Sequence, residues 1–247
     1  MNRILPRNRR TVKPTRPGKQ SDFELVIFDC DGVLVDSEVI SCRVHAEVLT
    51  RHGYPITADE VRSRFLGRTA RDATIEVERE LGRPLADDYD LERRTTLLAA
   101  LAETVEAIPH VHDALDAIEV PVCVASSAAH DKIFTTLSRT GLYQRFVPNI
   151  FSGSQVDNGK PAPDLFLFAA AQMAVSPVRC LVVEDSVPGV TGAIAAGMTV
   201  LGFHGASHCR PGDDAALRAA GAAATFNDMQ RLSDLVACAA PGRLMAI

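Results

Sequence analysis

The chain has 247 residues, of which 47% are hydrophobic and 23% are charged, and its formal net charge is -5. This length exceeds one average domain, and the apolar content is sufficient for a sizeable buried core. Residues 1–20 carry seven Lys and Arg side chains and no acid, which leaves 19 basic and 31 acidic residues in the rest of the chain. An acidic body argues against a nucleic-acid-binding surface, and no stretch approaches the ~18 apolar residues of a membrane span.

The basic first segment, residues 1–21, lacks the apolar centre of a secretory signal and is predicted to be a disordered tail. The six cysteines show no C-x-x-C spacing, and Cys123 and Cys180 lie inside apolar runs. Buried free thiols are typical of a reducing compartment, so we expect a cytoplasmic protein. We also expect a monomer or weak dimer that acts on a small molecule and binds neither nucleic acid nor membrane.

Short apolar runs predict the strands of a buried parallel sheet. In chain order they cover residues 23–28, 120–126, 180–184 and 199–203, with a weaker fifth run at 149–154. The intervening segments have helical periodicity, and helices are predicted over 112–118, 131–142, 163–175 and 187–198. Alternating strands and helices are typical of a doubly wound, Rossmann-like α/β sheet, which binds ligands at the carboxyl ends of its strands.

Residues 37–105 interrupt this alternation with amphipathic helical patterns and no convincing strand. We therefore expect a helical cap domain inserted after the first strand, and an α/β core domain made of residues 22–36 and 106–247. A cap of this kind can exclude water from a reaction and select the substrate.

Polar side chains follow three of the predicted strands, and a loop adds a lysine. In chain order these residues are Asp29 and Asp31, Ser126 and Ser127, Lys160, and Glu184 and Asp185. Because the carboxyl ends of parallel strands meet at one edge of a sheet, we expect these side chains to lie together. Crowded carboxylates need a hard cation such as Mg²⁺, while the serine hydroxyls and the lysine suit the oxygens of a phosphoryl group.

The two aspartates at the tip of the first strand suit covalent phosphoryl transfer. Asp29 can attack phosphorus as a nucleophile. Asp31 can protonate the leaving oxygen and later deprotonate the attacking water. Gly32 permits a tight turn that brings the Asp31 carbonyl towards the metal. Mg²⁺ and Lys160 would neutralise charge on the transferred group.

Four motifs of the chain, taken together and in order, resemble those of the haloacid dehalogenase-like hydrolase superfamily. They are "DCDGVLVDSE", "VASSA", "GKPAPD" and "VVEDSVPGV". The likeness spans roughly residues 22–240, and the insertion point is similar to that of the helical-cap subgroup, which includes β-phosphoglucomutase and many sugar-phosphate phosphatases. The wording of the first motif is similar to that of bacterial phosphatases acting on 6-phosphogluconate.

The resemblance implies a role for each residue that matches a motif. Asp29 is the nucleophile, Asp31 is the acid and base, and Ser126 and Lys160 hold the phosphate. The implied Mg²⁺ ligands are Asp29, the Asp31 carbonyl and Asp185. Glu184 either binds the Mg²⁺ directly or contacts the groups that bind it, and the resemblance leaves this open.

Several residues distinguish the activities known in this superfamily. Asp31 favours phosphoryl transfer over dehalogenation, because a departing halide needs no proton. Phosphomutases of the subgroup carry a cap histidine where this chain has Ser41 and a cap arginine where it has Ala70. We therefore expect a phosphatase of a small phosphorylated metabolite, a sugar or sugar acid, with a phosphomutase as the alternative. Arg68 and Arg71 either bind the distal anionic group of the substrate or only solvate a cap helix.

A phospho-acceptor in signalling is the non-enzymatic alternative. Receiver domains also hold a phosphoryl group with Asp, Mg²⁺, a hydroxyl and Lys on an α/β sheet. They resemble this chain in that chemistry, but they lack an acid two residues after the acceptor and a large helical insertion. Asp31 and the insertion at residues 37–105 therefore favour an enzyme.

Overall fold

The computed structural model of the protein describes residues 22–65 and 70–238. The predicted tail, the candidate ligand Arg68 and the last nine residues of the predicted core lie outside the described residues. None of the helices in the described part of the chain combines the length and the apolar character needed to cross a membrane.

The core of the molecule is a parallel β-sheet. Its strands are β1 (Leu25–Phe28), β2 (Val122–Ser126), β3 (Ile150–Ser152), β4 (Cys180–Glu184), β5 (Thr199–Phe203) and β6 (Ala224–Phe226). They form a six-stranded sheet in the order β3-β2-β1-β4-β5-β6, and every neighbouring pair is parallel. This is the strand order of Rossmann-type sheets, so the predicted fold class is confirmed. The short strand β6 was not predicted.

Helices occupy the intervals between the strands. The first four are α1 (Glu38–Arg51), α2 (Ala58–Phe65), α3 (Ala70–Leu81) and α4 (Tyr89–Thr104), all between β1 and β2. The others are α5 (Val111–Asp116), α6 (His130–Arg139), α7 (Tyr143–Phe146), α8 (Asp164–Gln172), α9 (Val187–Ala195), α10 (Asp213–Ala219) and α11 (Leu232–Cys238).

The sheet is buried on both faces, as the uninterrupted apolar runs of its strands require. Val26 and Phe28 of β1 belong to one apolar cluster, together with residues of α5, α6 and α11. Leu25 and Ile27 of the same strand belong to a second cluster, together with residues of α8, α9 and α10. Side chains of a strand point alternately to opposite faces, so the helices cover both sides of the sheet.

The four helices α1–α4 have an apolar cluster of their own. It includes Val48 and Leu49 of α1, Val61 of α2 and Val77 of α3, each at most 2% exposed. The chain enters and leaves this region side by side, since Asp36 N donates to Glu106 O at 2.9 Å. We propose that these helices form a separate cap domain over residues 37–105, and both observations support that division.

Candidate active site

The first strand ends in a tight turn at the centre of the candidate site. Asp29 is 7% exposed, and its backbone nitrogen still donates to Val183 O of β4 at 3.0 Å. Gly32 follows with φ 78°. A Cβ atom at Gly32 would lie 1.9 Å from Asp185 Oδ2, so only glycine fits. The turn after β1 and the end of β4 are therefore in direct contact.

Lys160 joins the ends of two strands. Its ammonium lies 2.5 Å from Asp29 Oδ1 and 2.6 Å from Glu184 Oε1, and its side chain is 5% exposed. Burial alone would lower the pKa of Lys160, but the attraction of the two carboxylates outweighs it and raises the pKa. The lysine is therefore charged at neutral pH, which is the form that binds phosphate.

Glu184 is enclosed by the first turn of α9. It is fully buried, and its Oε2 accepts hydrogen bonds from Ser186 N at 3.0 Å and from Ser186 Oγ at 2.9 Å. A Cβ atom at Gly189 would lie 1.8 Å from Glu184 Oε1, so the carboxylate occupies the space that a side chain at this position would need. Both oxygens of Glu184 are engaged by protein groups, and this supports a role in placing Lys160 rather than direct metal ligation.

Asp31 has two partners that hold its carboxylate in one orientation. Ser37 Oγ donates to Asp31 Oδ1, and Lys132 Nζ lies 2.8 Å from the same oxygen. Burial alone would lower the pKa of Lys132, but Asp31 and Glu38 raise it. The ion pair is largely buried, with 18% of the lysine side chain and 14% of the aspartate side chain exposed.

Asp185 faces a histidine from the loop after β5. His208 Nε2 lies 3.3 Å from Asp185 Oδ2, and both side chains are buried. Burial alone would lower the pKa of His208, but the hydrogen bond to Asp185 raises it to about 11. His208 Nδ1 is buried and has no hydrogen-bond partner among the described residues.

The two predicted serines differ in their surroundings. Ser126, at the end of β2, is 1% exposed, and its hydroxyl accepts a hydrogen bond from Ala128 N at 3.1 Å. Ser127 is exposed. Both line the same cavity as Asp29 and Lys160.

The structure gives less support to the predicted cap ligands. Arg68 lies outside the described residues. Arg71 is exposed, and it lines an open depression of about 640 Å³ together with Glu78 and Asp90. It is not among the described residues that line the cavity at the strand ends. A role for either arginine in substrate binding stays a prediction.

That cavity has a volume of about 860 Å³ and runs between the strand ends and the helices α1–α4. Its core side is lined by Asp29, Asp31, Ser126, Lys160, Glu184 and Asp185. The seven predicted core residues, Ser127 included, are thus brought to one place. A volume of this order is typical of small-molecule sites.

The acidic groups of the site are buried close together, so their ionised forms need positive charge nearby. Burial raises the pKa of Asp29 well above its ordinary value, and Lys160 opposes this rise while Glu184 and Asp185 add to it. Burial also raises the pKa of Asp185. Buried carboxylates that repel each other stay ionised only with sufficient cationic partners.

The donor set of the site fits Mg²⁺, although the acids contact cationic side chains. Within residues 22–65 and 70–238, no three His, Cys, Asp or Glu side chains are arranged as a ready-made metal group. The available donors are nevertheless all oxygens, which Mg²⁺ prefers. Because Gly32 has no side chain, the Asp185 carboxylate lies close to the backbone next to the Asp31 carbonyl. Asp29, the Asp31 carbonyl and Asp185 would hold the ion.

Comparison with known proteins identifies the family. The profile of the haloacid dehalogenase-like hydrolases matches residues 26–203, which include the turn after β1, Lys160 and the end of β4. The chain is a haloacid dehalogenase-like hydrolase. The family prediction made from the four motifs is therefore confirmed.

Two curated members of the haloacid dehalogenase-like family cover most of this chain. A 6-phosphogluconate phosphatase of Escherichia coli is 34% identical over 192 residues, which are 77% of this chain and 87% of that protein. A phosphorylated carbohydrates phosphatase of Thermotoga maritima is 30% identical over 222 residues, which are 86% of this chain and 98% of that protein. Both are named phosphatases, in agreement with the predicted enzyme class.

A solved haloacid dehalogenase-like structure shows the same fold. The crystal structure of a conserved protein from Agrobacterium tumefaciens has a TM-score of 0.78 and 42% sequence identity. It covers 87% of this chain and 98% of that chain. The similarity therefore extends over most of both chains.

Sequence analysis did not predict three residues that belong to this haloacid dehalogenase-like site. Lys132 lies in the first turn of α6, where a positive charge opposes the helix dipole, and this was an available signal. Glu38 is the last residue of the first motif, and it lines the cavity. His208 was not predicted, because its partner Asp185 is distant from it in sequence.

Proposed function

We propose that the protein is a Mg²⁺-dependent phosphatase that hydrolyses a small phosphorylated metabolite through an aspartyl-phosphate intermediate. The observation that carries this proposal is the buried Lys160 ammonium, 2.5 Å from Asp29 Oδ1 and 2.6 Å from Glu184 Oε1. The ammonium can bind a phosphoryl oxygen next to the carboxylate that attacks phosphorus. The names of the two curated relatives support a sugar phosphate or sugar-acid phosphate as the substrate.

The first half of the reaction transfers the phosphoryl group to the protein. An oxygen of Asp29 attacks phosphorus and forms a P–O bond, while the bond between phosphorus and the ester oxygen breaks. Asp31 gives its proton to the departing alkoxide, which leaves as an alcohol. Lys160, Ser126 and Ser127 bind the non-bridging oxygens of the phosphoryl group.

The second half returns the protein to its starting state. Asp31, now ionised, takes a proton from a water molecule as that water attacks phosphorus. The bond between phosphorus and Asp29 breaks, inorganic phosphate leaves, and Asp31 is protonated again. Lys132 and Ser37 both contact Asp31 Oδ1, so that Oδ2 is available for these two proton transfers.

A bound Mg²⁺ would add positive charge beside the transferred phosphoryl group and favour the ionised nucleophile. Asp29, the Asp31 carbonyl and Asp185 are the groups that would hold it. Glu184 keeps Lys160 in place from the other side.

The residues of α1 favour transfer to water over a phosphomutase reaction. Ser41 Oγ donates to Ser37 O at 3.0 Å, within the helix backbone. His45 lies one turn further, and its Nε2 is 2.8 Å from Tyr89 Oη. Burial lowers the pKa of His45 to about 4, and Arg93 adds to this, so the ring is neutral at pH 7. Neither side chain is suited to deliver a proton to a sugar hydroxyl.

The proposal is tested by phosphate release from a panel of phosphorylated sugars, sugar acids and nucleotides, with Mg²⁺ and with EDTA. We expect release that requires Mg²⁺ and falls by roughly 10⁴-fold or more in Asp29→Asn. Acetyl phosphate should label the wild type only briefly, and the label should persist in Asp31→Asn, because hydrolysis then lacks its base.

Other outcomes would support the alternatives. Equal rates in wild type and Asp29→Asn would refute the assignment of the nucleophile. A label that lasts for minutes in wild type would indicate a signalling acceptor. Isomerisation of a sugar phosphate with little phosphate release, dependent on a bisphosphate, would indicate a mutase.

A further inference from the structure

The cavity has a second wall, formed by the helices α1–α4, to which the reaction described above assigns no role. Residues that line it include Ser41, His45, Arg62, Phe65, Arg93 and Leu97. Most of this wall is apolar or neutral, since His45 carries no charge at pH 7. Its arginines are therefore the groups that can recognise charge at the far end of a substrate.

Among the described residues, three arginines line this wall, and two of them form hydrogen bonds or short ion pairs with acidic partners. Arg94 donates to Asp131 Oδ2 from Nε at 2.9 Å and from Nη2 at 2.5 Å. Arg93 Nη2 lies 3.3 Å from Asp90 Oδ1. Their positive charges are partly compensated within the protein.

The third arginine, Arg62 of α2, has an acidic neighbour only beyond hydrogen-bond distance among the described residues. Its Nε is buried and has no hydrogen-bond partner among the described residues. The carboxylate of Asp59 is 3.9 Å away, which is beyond hydrogen-bond distance, and Asp59 also pairs with Arg210 at 3.1 Å. The Arg62 side chain as a whole is 24% exposed and lines the cavity, so its weakly compensated charge can attract an anionic ligand there.

Arg62 lies on the side of the cap that lines the catalytic cavity. Burial raises the pKa of Cys42 to about 11, and Glu38 adds to the rise while Arg62 opposes it. Cys42 lies on α1, one turn after Glu38, and both line the cavity. Arg62 lines the same cavity as Asp29 and Asp31, the carboxylates that perform the reaction.

We propose that Arg62 binds a carboxylate at the end of the substrate opposite to the phosphate, which makes it a specificity-determining residue. This inference rests on the proposed phosphatase function. The planar guanidinium matches a carboxylate with two parallel hydrogen bonds. Glu38 faces the same cavity, so a singly charged carboxylate is repelled less than a second phosphate. The apolar part of the wall, with Phe65 and Leu97, packs against the carbon chain between the two ends.

The decisive substrates are a six-carbon aldonic acid 6-phosphate and the corresponding alditol 6-phosphate, which differ only in a carboxylate against a hydroxymethyl group. We expect kcat/KM of the wild type to be about tenfold to a hundredfold higher for the aldonic acid phosphate. Arg62→Gln should remove this preference, and Arg62→Lys should restore part of it. Hydrolysis of p-nitrophenyl phosphate, which has no second anionic group, should stay within about twofold. Arg51→Gln, which removes a surface arginine paired with Glu92, is the matched control and should keep the preference.

Binding provides a second measurement that does not depend on turnover. In the Asp29→Asn background, the aldonic acid phosphate should raise Tm more than the alditol phosphate does. The difference should vanish when Arg62→Gln is added.

Each outcome decides between the two proposals. If the wild type hydrolyses the two phosphate esters equally, or if Arg62→Gln keeps the preference, the inference about Arg62 is wrong. The proposal that the protein is a phosphatase is then unaffected. A preference for a bisphosphate over the aldonic acid phosphate would also overturn it. If no ester is hydrolysed, the phosphatase proposal fails, and the Tm difference alone then decides whether Arg62 binds a carboxylate.

Discussion

The two walls of the cavity differ in how closely their charged side chains are paired. On the wall formed by the strand ends, the two lysines each contact an acidic side chain, Lys160 with Asp29 and Lys132 with Asp31. On the wall formed by the cap, Arg62 Nε has no hydrogen-bond partner among the described residues. Paired charges are held in place, which suits a reaction that is the same for every substrate. A charge that the protein compensates only weakly can attract an anionic ligand, which suits selection among substrates.

The largest expected effect comes from disturbing the wall of paired charges at its most crowded point. Gly189→Ala places a methyl group 1.8 Å from the present position of Glu184 Oε1, so the carboxylate has to move and Lys160 loses one of its two partners. We expect kcat/KM to fall by roughly a hundredfold or more and the free energy of unfolding to drop by about 2 kcal/mol. Steady-state kinetics and urea unfolding measure both.

A second glycine provides the control for this change. Gly159 lies in the loop before Lys160, and a Cβ atom there meets nothing within 4 Å among the described residues. Gly159→Ala should therefore leave both quantities within about a factor of two and 0.5 kcal/mol. Equal behaviour of the two variants would show that Glu184 is not confined as described.

A smaller effect is expected from removing a partner of a proposed metal ligand. His208→Asn takes away the imidazole 3.3 Å from Asp185 Oδ2. Groups that orient a ligand typically contribute 10- to 100-fold in metal affinity, so we expect the Mg²⁺ concentration for half-maximal activity to rise about tenfold. Direct titration with Mn²⁺, followed by electron paramagnetic resonance, measures the binding without turnover.

His204 lies in the same loop and supplies the matched comparison. It is half-buried, and it is not among the residues that line the cavity. His204→Asn should leave the Mn²⁺ affinity unchanged. If both variants bind Mn²⁺ as the wild type does, the contact between His208 and Asp185 is only structural.

The smallest effect concerns the stability of the cap and its dependence on pH. The pKa of His45 is lowered to about 4, chiefly by burial and further by Arg93. The unfolded chain therefore binds a proton at this residue below about pH 6.5, while the folded chain does so only below about pH 4. Stability is lost as pH falls through this window, by on the order of 2 kcal/mol.

His45→Gln isolates this contribution, because glutamine does not titrate and can still contact Tyr89. Urea unfolding at pH 7.5 and pH 4.5 should show a smaller loss of stability for the variant than for the wild type. Parallel losses in the two proteins would mean that the histidine is protonated as easily in the folded state as in the unfolded state.

Much of the fold could be predicted because buried parallel strands leave a simple pattern. The strands Cys180–Glu184 and Thr199–Phe203 were predicted with their observed bounds, since both are apolar runs buried along their whole length. Strand Ala224–Phe226 has only three residues, and so short a segment carries no periodicity. Helix Asp213–Ala219 was also missed, because its one buried residue, Leu217, does not define an apolar face in the sequence.

The site could be predicted only where its residues follow directly on strands. Asp29, Ser126 and Glu184 lie at or next to strand ends, so the sheet itself brings them together. Lys132 and His208 reach the site from a helix and from a loop, and their partners are distant in sequence. Arg62 differs again, since its importance comes from a missing contact, which no sequence pattern records.

The position of Lys160 limits which anions the site can hold. An ammonium has three N–H donors, and Asp29 and Glu184 accept from two of them. One donor remains, so a ligand has to gain its other contacts from groups on different sides, such as the hydroxyls at the end of β2. A tetrahedral oxyanion can reach in several directions at once, whereas a flat carboxylate cannot. We therefore expect the reacting end to discriminate against carboxylic acids by the shape of the anion rather than by its charge.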